Sequence, residues 1–256
     1  MLLDYLKTTQ FKKFIPDWIT ALLLFLVFFF VVDPAYPFAR KFTIDDSRLQ
    51  YEFTEHERIT DNQLYFLAGL FPLGIILLSR DDIHTKQLNI LGLCVSLSLN
   101  GVFTDILKNL IAGHRPDFIS RCRPIGSIPS NHLVGIEVCT APLGKTKLMD
   151  GMKSTPSGHS SISFSGLLYL YLWVLDYFKV CRTSPLYHHI AAFTPPLMAI
   201  YICLSRTQDY RHHFFDIILG SAIGASIAFL SYVRYSYSRV VTGAYNSFKV
   251  NNESIV

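Results

Sequence analysis

Three short segments of the chain combine cationic, imidazole and carboxylate side chains at spacings that suit phosphate chemistry. The first places Lys108 and Arg115 seven residues apart, with Pro116 directly after. On a helix this spacing puts both cations on one face, and the proline limits how far the helix continues. A pair of cations on one face favours an anion, although Lys and Arg that extend from an apolar helix toward water give the same pattern.

The second segment is Pro156-Ser157-Gly158-His159, at the start of an apolar block. Ser157 can cap a helix, and Gly158 lets the main chain approach a ligand closely. The N-terminus of a helix also presents free N–H groups to an anion. His159 is then placed to give a proton to a leaving group, while an ordinary helix start is the alternative interpretation of this segment alone.

The third segment runs from Ser205-Arg206 through His212 to Asp216. Asp216 follows His212 by four residues, so on a helix its carboxylate can hold one imidazole nitrogen and leave the other as a nucleophile or base. The guanidinium of Arg206 matches the geometry of phosphate oxygens. Together the three segments supply the groups for phosphate transfer without a metal ion, and the sequence contains no zinc-type Cys/His spacing.

The composition indicates the kind of protein that must position these residues. Of 256 residues, 50% are hydrophobic and only 16% are charged, whereas a soluble domain has roughly a quarter charged residues. The net charge of +4 is small and the Lys and Arg residues are scattered, so no basic run points to nucleic acid. The 20 Phe and 14 Tyr residues exclude extended disorder.

The apolar residues cluster in long blocks, and a membrane helix needs about 20 such residues to cross the hydrocarbon core. We predict an all-α integral membrane protein with six transmembrane helices in a single domain over residues 1–256. Its core covers about 15–235, with short cytosolic tails at both ends. The six blocks are residues 18–32, 64–79, 88–111, 160–177, 189–204 and 217–235.

An even number of crossings places both termini on one side and all three chemical segments on the other. The short connections on the terminal side are rich in Lys and Arg, so we place both termini in the cytosol. Cys122 and Cys139 share the long loop between the third and fourth blocks. They can form a disulfide if this loop lies in an oxidising lumen, and two free thiols are the alternative.

The three segments together resemble the signature of the type 2 phosphatidic acid phosphatase (PAP2) superfamily. Every signature position is filled, in the right order: Lys108-x6-Arg115-Pro116, Pro156-Ser157-Gly158-His159 and Ser205-Arg206-x5-His212-x3-Asp216. The residues around them, such as Arg115-Pro-Asp-Phe and Thr155-Pro-Ser-Gly-His-Ser-Ser, more closely resemble the fungal diacylglycerol pyrophosphate phosphatases. The likeness covers roughly residues 38–235.

The resemblance implies a PAP2-type helical bundle that hydrolyses lipid phosphates without Mg²⁺ or another cofactor. It implies that His212 attacks phosphorus to form a phosphohistidine, that Asp216 orients His212, and that His159 protonates the departing oxygen and later activates water. It also implies a set of residues that bind the phosphoryl group of the substrate: Lys108, Arg115, Ser157, Gly158 and Arg206.

The expected substrates are phosphatidate, diacylglycerol pyrophosphate and lysophosphatidate, presented to the enzyme by the bilayer. A polyisoprenyl pyrophosphate phosphatase is one alternative, and a non-catalytic lipid-binding or transport protein of the same fold is another. We expect no nucleic-acid partner, and the sequence leaves homo-oligomer formation open. The resemblance suggests a vacuolar, Golgi or ER membrane, with the active site on the lumenal face.

Overall fold

The computed structural model describes residues 2–126 and 128–253, and their side chains over 4–126 and 128–238. Met1 and the last three residues of the predicted C-terminal tail lie outside this part. The described residues form helices and loops, with two isolated β-bridges and no strand. The helices are α1 (Leu2–Leu6), α2 (Thr9–Lys12), α3 (Ile15–Val27), α4 (Asp61–Tyr65), α5 (Phe71–Leu78), α6 (Ile83–Ile111), α7 (Phe118–Cys122), α8 (Lys145–Asp150), α9 (Gly158–Tyr177), α10 (Leu186–Ala192), α11 (Thr194–Gln208) and α12 (Phe214–Glu253).

Several predicted blocks extend beyond the bounds that hydropathy alone gives them. A π-helical turn, Phe28–Val32, continues α3, and another, Phe66–Leu70, joins α4 to α5 into one span over 61–78. The third span begins earlier than predicted because Asp82 caps α6, accepting hydrogen bonds from the backbone N–H groups of His84 and Thr85. The fifth block is broken at Phe193, where α10 and α11 meet at 42°.

Four stretches of the described residues are long and apolar enough to cross a membrane: 15–32, 61–78, 83–111 and 214–238. The bent pair α10–α11 makes a fifth if it counts as one span. The remaining block, α9, has 20 residues but falls outside this set, and a count of six spans stays a prediction. Exposed apolar side chains such as Leu22, Phe30 and Leu78 point away from the bundle, as expected of a surface that faces lipid.

Helix α9 is less apolar because it lies at the centre of the bundle. It packs against α6, α11 and α12, and also touches α4, α5 and α10. Its buried serines form hydrogen bonds with α6: Ser165 with Ser96, and Ser161 with Asn100 and Thr104. Such hydrogen bonds satisfy polar groups that lipid could not.

Two glycines of α12 bring it into direct main-chain contact with the start of α9. A β-carbon at Gly220 would collide with the carbonyl oxygen of Ser157, and one at Gly224 with that of Ser161. The two helices therefore approach more closely than side chains would allow. This contact holds the beginning of α9 beside the beginning of α12, where two of the chemical segments lie.

The loops on this side of the bundle, residues 33–60, 112–126 and 128–157, fold together into a domain-like cover that we call the cap. Its apolar core includes Phe42, Phe118, Cys122 and Met152. A disulfide joins Cys122 to Cys139, so the bridged alternative of the sequence prediction is the one observed. The cap is therefore a packed structure with its own core and covalent link.

The N-terminal segment is more ordered than a free tail. Tyr5 hydrogen-bonds through its hydroxyl with His84 Nδ1 at 2.7 Å, near the start of α6. Phe14 belongs to a small buried cluster with Leu88 and Leu91 of that helix. These contacts attach α1 and α2 to the end of the bundle opposite the cap.

Candidate active site

A cavity of about 600 Å³ lies between the cap and the bundle. Residues from all three chemical segments line it, which confirms that they share one end of the molecule. Six of the eight predicted site residues are among them: Lys108, Arg115, Gly158, His159, Arg206 and His212. Ser157 and Asp216 are buried beside the cavity and do not line it.

His212 sits in the short turn between α11 and α12, buried and with its ring fixed by one hydrogen bond. Its Nδ1–H donates to the main-chain carbonyl of Ser154 at 2.8 Å. A carbonyl can only accept, so the proton of the neutral ring is on Nδ1 and the lone pair is on Nε2. Burial is the main reason that the pKa of His212 is well below its usual range, and the positive charges of Arg115 and Arg206 lower it further. Burial therefore favours the neutral ring, whose lone pair is on Nε2.

Asp216 acts on this arrangement mainly through Ser154 rather than by direct contact with His212. Its carboxylate lies 3.9 Å from His212 Nδ1, beyond a hydrogen bond. It accepts hydrogen bonds from the Ser154 hydroxyl at 2.6 Å, from the Thr155 hydroxyl and from the backbone N–H of His213. Asp216 thus holds the main chain that carries the Ser154 carbonyl, and this carbonyl in turn fixes the imidazole.

His159 lies in the first turn of α9, and its ring points to the segment that precedes α4. Its Nε2–H donates to the main-chain carbonyl of Ile59 at 3.1 Å, and Asp61 Oδ1 is 3.8 Å from the same nitrogen. Arg206 Nη1 donates to the same Ile59 carbonyl at 3.0 Å. One carbonyl oxygen therefore positions both a histidine and an arginine of the site.

Arg206 is almost fully buried and has a carboxylate partner that the sequence pattern does not reveal. Its Nη2 lies 3.0 Å from Glu57 Oε2, and the other oxygen of Glu57 lies 2.8 Å from Arg211 Nη2. The Nε of Arg206 has no hydrogen-bond partner among the described residues. A buried donor without a partner costs free energy, so this atom is suited to an oxygen of a bound anion.

Arg115 lies in the cap and is held there by Asp150 of α8. Its Nη2 lies 2.7 Å from Asp150 Oδ1, while Arg121 Nη1 lies 2.8 Å from Asp150 Oδ2. Burial alone would raise the pKa of Asp150, but these two guanidinium groups hold it well below the usual range for a carboxyl. The Nε of Arg115 is also buried without a partner in the described part of the chain. Arg115 and Arg206 therefore each present an unused N–H donor.

Lys108 passes directly over the main chain of Gly158. A β-carbon at Gly158 would lie 2.6 Å from Lys108 Nζ, so any larger residue would require the ammonium group to move. The same ammonium is 3.2 Å from Asp105 one turn earlier on α6. The absence of a side chain at Gly158 therefore leaves space for the Lys108 side chain.

Ser157 serves as the N-cap of α9. Its hydroxyl accepts hydrogen bonds from the backbone N–H of Ser160 at 3.4 Å and from the Ser160 hydroxyl at 3.0 Å. Its backbone N–H donates to the carbonyl of Asp216 at 3.0 Å. The side chain is therefore engaged in fixing the helix start, and its predicted contact with substrate stays a prediction.

Four contributors to the site have no signal in the sequence: Glu57, Ile59, Asp150 and Ser154. Two of them act through a main-chain carbonyl, which any residue type supplies. The carboxylates of Glu57 and Asp150 are paired only after the cap folds over the bundle. Within the described residues, no group of three or more His, Cys, Asp or Glu side chains is placed to hold a metal ion.

A second cavity, of about 760 Å³, lies at the other end of α9. Apolar residues of α5, α9 and α11 supply most of its lining, among them Phe71, Leu170, Trp173 and Met198. His188 is the one histidine that faces it, within the part of the chain that the structure describes. Among its described lining residues there is no cluster of ionisable side chains.

The helical fold is that of an integral membrane protein, with a cavity lined by cations and histidines at one end of its bundle. Residues 89–239, more than half of the chain, match the model of the PAP2 superfamily, and the chain belongs to this family. It is a membrane phosphatase, as the sequence predicts.

Named relatives cover most of the chain. Diacylglycerol pyrophosphate phosphatase 1 of Saccharomyces cerevisiae is 40% identical over 207 residues, which are 77% of this chain and 71% of that protein. A probable diacylglycerol pyrophosphate phosphatase 1 of Schizosaccharomyces pombe is 34% identical over 77% of this chain and 72% of its own length. Lipid phosphate phosphatase 2 of Arabidopsis thaliana is 30% identical over 86% of this chain and 76% of its own. No solved structure matches the chain.

Proposed function

We propose that this protein hydrolyses phosphatidate, diacylglycerol pyrophosphate and lysophosphatidate through a phosphohistidine intermediate, without Mg²⁺. The observation that carries the proposal is the fixed, neutral ring of His212. Its Nδ1–H is held by the Ser154 carbonyl, which leaves the Nε2 lone pair beside a cavity lined by Lys108, Arg115 and Arg206. A neutral nucleophile among cations suits attack on an anionic phosphoryl group.

In the first step, the Nε2 lone pair of His212 attacks phosphorus and the bond from phosphorus to the lipid oxygen breaks. The phosphate dianion beside His159 favours the protonated imidazole, which gives its proton to the departing oxygen. The unused N–H donors of Arg115 and Arg206 form hydrogen bonds with the phosphoryl oxygens and stabilise the negative charge that spreads over them. Asp216 stabilises the positive charge on His212 through Ser154 and Thr155.

In the second step, water attacks the phosphohistidine while His159 accepts a proton from it. The phosphorus–nitrogen bond breaks, its electron pair returns to Nε2 of His212, and inorganic phosphate leaves. Both histidines are then in their starting forms.

The walls of the cavity suit a lipid. Beside the cationic residues, apolar side chains of the first two spans line the same space, among them Phe28, Leu64 and Tyr65. A headgroup can therefore meet the cations while its acyl chains stay beside the spans. This wall supports a membrane lipid as substrate over a soluble sugar phosphate.

The decisive experiment is phosphate release by detergent-purified protein from these three lipids and from farnesyl diphosphate, in the presence of EDTA. We expect turnover of the glycerolipids in EDTA, and label from a terminally labelled substrate trapped on wild-type protein but not on His212→Ala. A strict need for Mg²⁺, or a preference for farnesyl diphosphate, would contradict the proposal. Binding without turnover of any lipid would favour the non-catalytic alternative.

We also propose that the cap faces the lumen of the vacuole, Golgi or ER and that the termini face the cytosol. The Cys122–Cys139 disulfide within the cap supports an oxidising compartment on that side. Cys181, in the connection between α9 and α10, is the one free cysteine that is exposed in the described residues. Hydrogen bonds with the hydroxyls of Thr183 and Ser184 lower the pKa of its thiol to about 7.

This thiol provides the test of orientation. In sealed vesicles whose cytosolic face is outward, a membrane-impermeant maleimide should label Cys181 without detergent, and Cys181→Ser should remove the label. Labelling that appears only after the vesicles are opened would invert the proposed topology.

A further inference from the structure

The active-site cavity contains three cationic residues outside the signature segments. Lys145 and Lys147 of α8, and Lys153 shortly after it, line the same space as Lys108, Arg115 and Arg206. We refer to Lys145, Lys147 and Lys153 as the lysine rim. All three belong to the cap, whereas His159 lies in α9 and His212 lies just before α12.

Two members of the lysine rim have no acidic partner in the described ranges. The ammonium of Lys145 lies 5.6 Å from the ring centroid of Tyr36, and that of Lys147 lies 5.9 Å from the ring of Phe53. An aromatic ring face attracts the positive charge of an ammonium group without accepting a conventional hydrogen bond from its N–H groups. These two ammonium groups are therefore free to donate to an anion in the cavity.

The third member, Lys153, is half-buried and lies close to Lys108. Its ammonium donates to the main-chain carbonyl of Asp33 at 2.7 Å. Burial lowers the pKa of Lys153 and the like charge of Lys108 lowers it further, against the opposing effect of Asp105 and Asp33. An additional anion at this position would relieve the repulsion between the two ammonium groups.

The neighbouring carboxyls do not fully neutralise this region. Burial raises the pKa of Asp33, and so does the adjacent Asp105. Asp105 is also the partner of Lys108, and the Asp150 carboxylate is shared by Arg115 and Arg121. The acidic residues on this side are thus committed to one another or to signature cations, and Lys145 and Lys147 remain without a counter-charge.

The lysine rim lies where the inner phosphate of a lipid diphosphate would be expected. In a lipid diphosphate, the two phosphorus atoms share a bridging oxygen, so the inner phosphate lies directly beside the one that is attacked. It must also point toward the lipid, and the lysine rim shares its wall of the cavity with residues 33–36, which follow the first span.

We propose that the lysine rim binds the inner phosphate of a lipid diphosphate, and that it gives the enzyme its preference for diphosphate over monophosphate headgroups. This inference rests on the phosphatase function proposed above. When His212 attacks the terminal phosphorus, the bridging P–O bond breaks and the electron pair stays on the inner phosphate. The positive charge of the lysine rim stabilises that leaving group, whereas a monophosphate has no phosphate at this position.

The test compares kcat/KM for diacylglycerol pyrophosphate and for phosphatidate in neutral-detergent micelles. Lys153→Met should lower the ratio of the two values about tenfold, the size expected for loss of one charge-assisted hydrogen bond. The double variant Lys145→Met/Lys147→Met, which changes exposed side chains only, should lower it in the same direction. Lys41→Met removes an exposed lysine of the cap outside the cavity and should leave the ratio unchanged.

A second measurement uses soluble probes. Inorganic pyrophosphate should inhibit wild-type protein at lower concentration than inorganic phosphate does, and this difference should shrink in both lysine variants. Equal losses on both lipids, or an unchanged ratio in every variant, would overturn the inference. If wild-type protein hydrolysed neither lipid, the proposed function itself would be contradicted. If Lys153→Met does not fold, the double variant decides.

Discussion

The two cavities of this protein have similar volumes, about 600 Å³ and 760 Å³, and lie at opposite ends of α9. The larger one is lined mainly by apolar side chains. The smaller one contains two histidines, the signature cations and several carboxylates, and two of its arginines have unused N–H donors. The placement of buried charge, and not the volume of a cavity, therefore distinguishes the candidate active site.

The largest expected difference between the two cavities is seen when one histidine is removed from each. His212→Ala should abolish turnover because the nucleophile is lost, whereas His188→Ala, in the apolar cavity, should leave kcat/KM within about twofold of wild type. Initial rates with diacylglycerol pyrophosphate measure both. Comparable losses in the two variants would remove the functional distinction between the cavities.

The next effect concerns the proton that His159 supplies in the proposed mechanism. His159→Ala should lower kcat by about 10²–10⁴-fold with little change in KM, the range typical of general acid–base catalysis. A substrate with a good leaving group, such as p-nitrophenyl phosphate, should be affected much less, because its departing oxygen needs no proton. An equal loss on both substrates would assign His159 to binding.

Only the charged cavity lies under the cap, so loosening the cap should affect one end of the molecule. The double variant Cys122→Ser/Cys139→Ser should destabilise the cap by about 3 kcal/mol, the value expected for a loop of this length. Limited proteolysis within residues 112–157 reports this change. Cys181→Ser, which alters an exposed thiol far from the cap, is the control and should show the wild-type cleavage pattern.

The smallest effect that we predict tests the carboxylate that holds Arg206. Glu57→Gln should raise KM about tenfold with a smaller change in kcat, since Arg206 and Arg211 lose a shared ion pair while the shape is kept. Glu55→Gln changes an exposed acid of the same segment and should leave KM unchanged. If Glu57→Asp restored none of the loss, a positioning role for the carboxylate would be refuted.

The signature residues could be predicted from the sequence because their spacing and order are local properties. Lys108, Arg115, His159 and His212 meet in the cavity as expected. The contact between Asp216 and His212 could not be predicted correctly from a four-residue spacing, since His212 precedes α12 and is not on its helical turn. The Ser154 carbonyl takes the expected place of the carboxylate.

The rest of the site depends on packing that no local pattern encodes. Glu57 reaches Arg206 across 149 positions of sequence, and Asp150 reaches Arg115 only after the cap has folded. The fold shows the same division. The apolar blocks predict where helices lie, but the break at Phe193 and the polar, central character of α9 arise from contacts with neighbouring helices.

The main-chain contact of Gly220 and Gly224 with the start of α9 separates what can vary in this enzyme from what cannot. It fixes the distance between α12, which begins beside His212, and α9, which carries His159, so even an added methyl group would shift the two histidines relative to each other. Part of the cavity wall consists of cap loops, where substitutions are tolerated far better. The lining of the cavity can therefore diverge between descendants of this chain while the spacing of His159 and His212 is inherited unchanged.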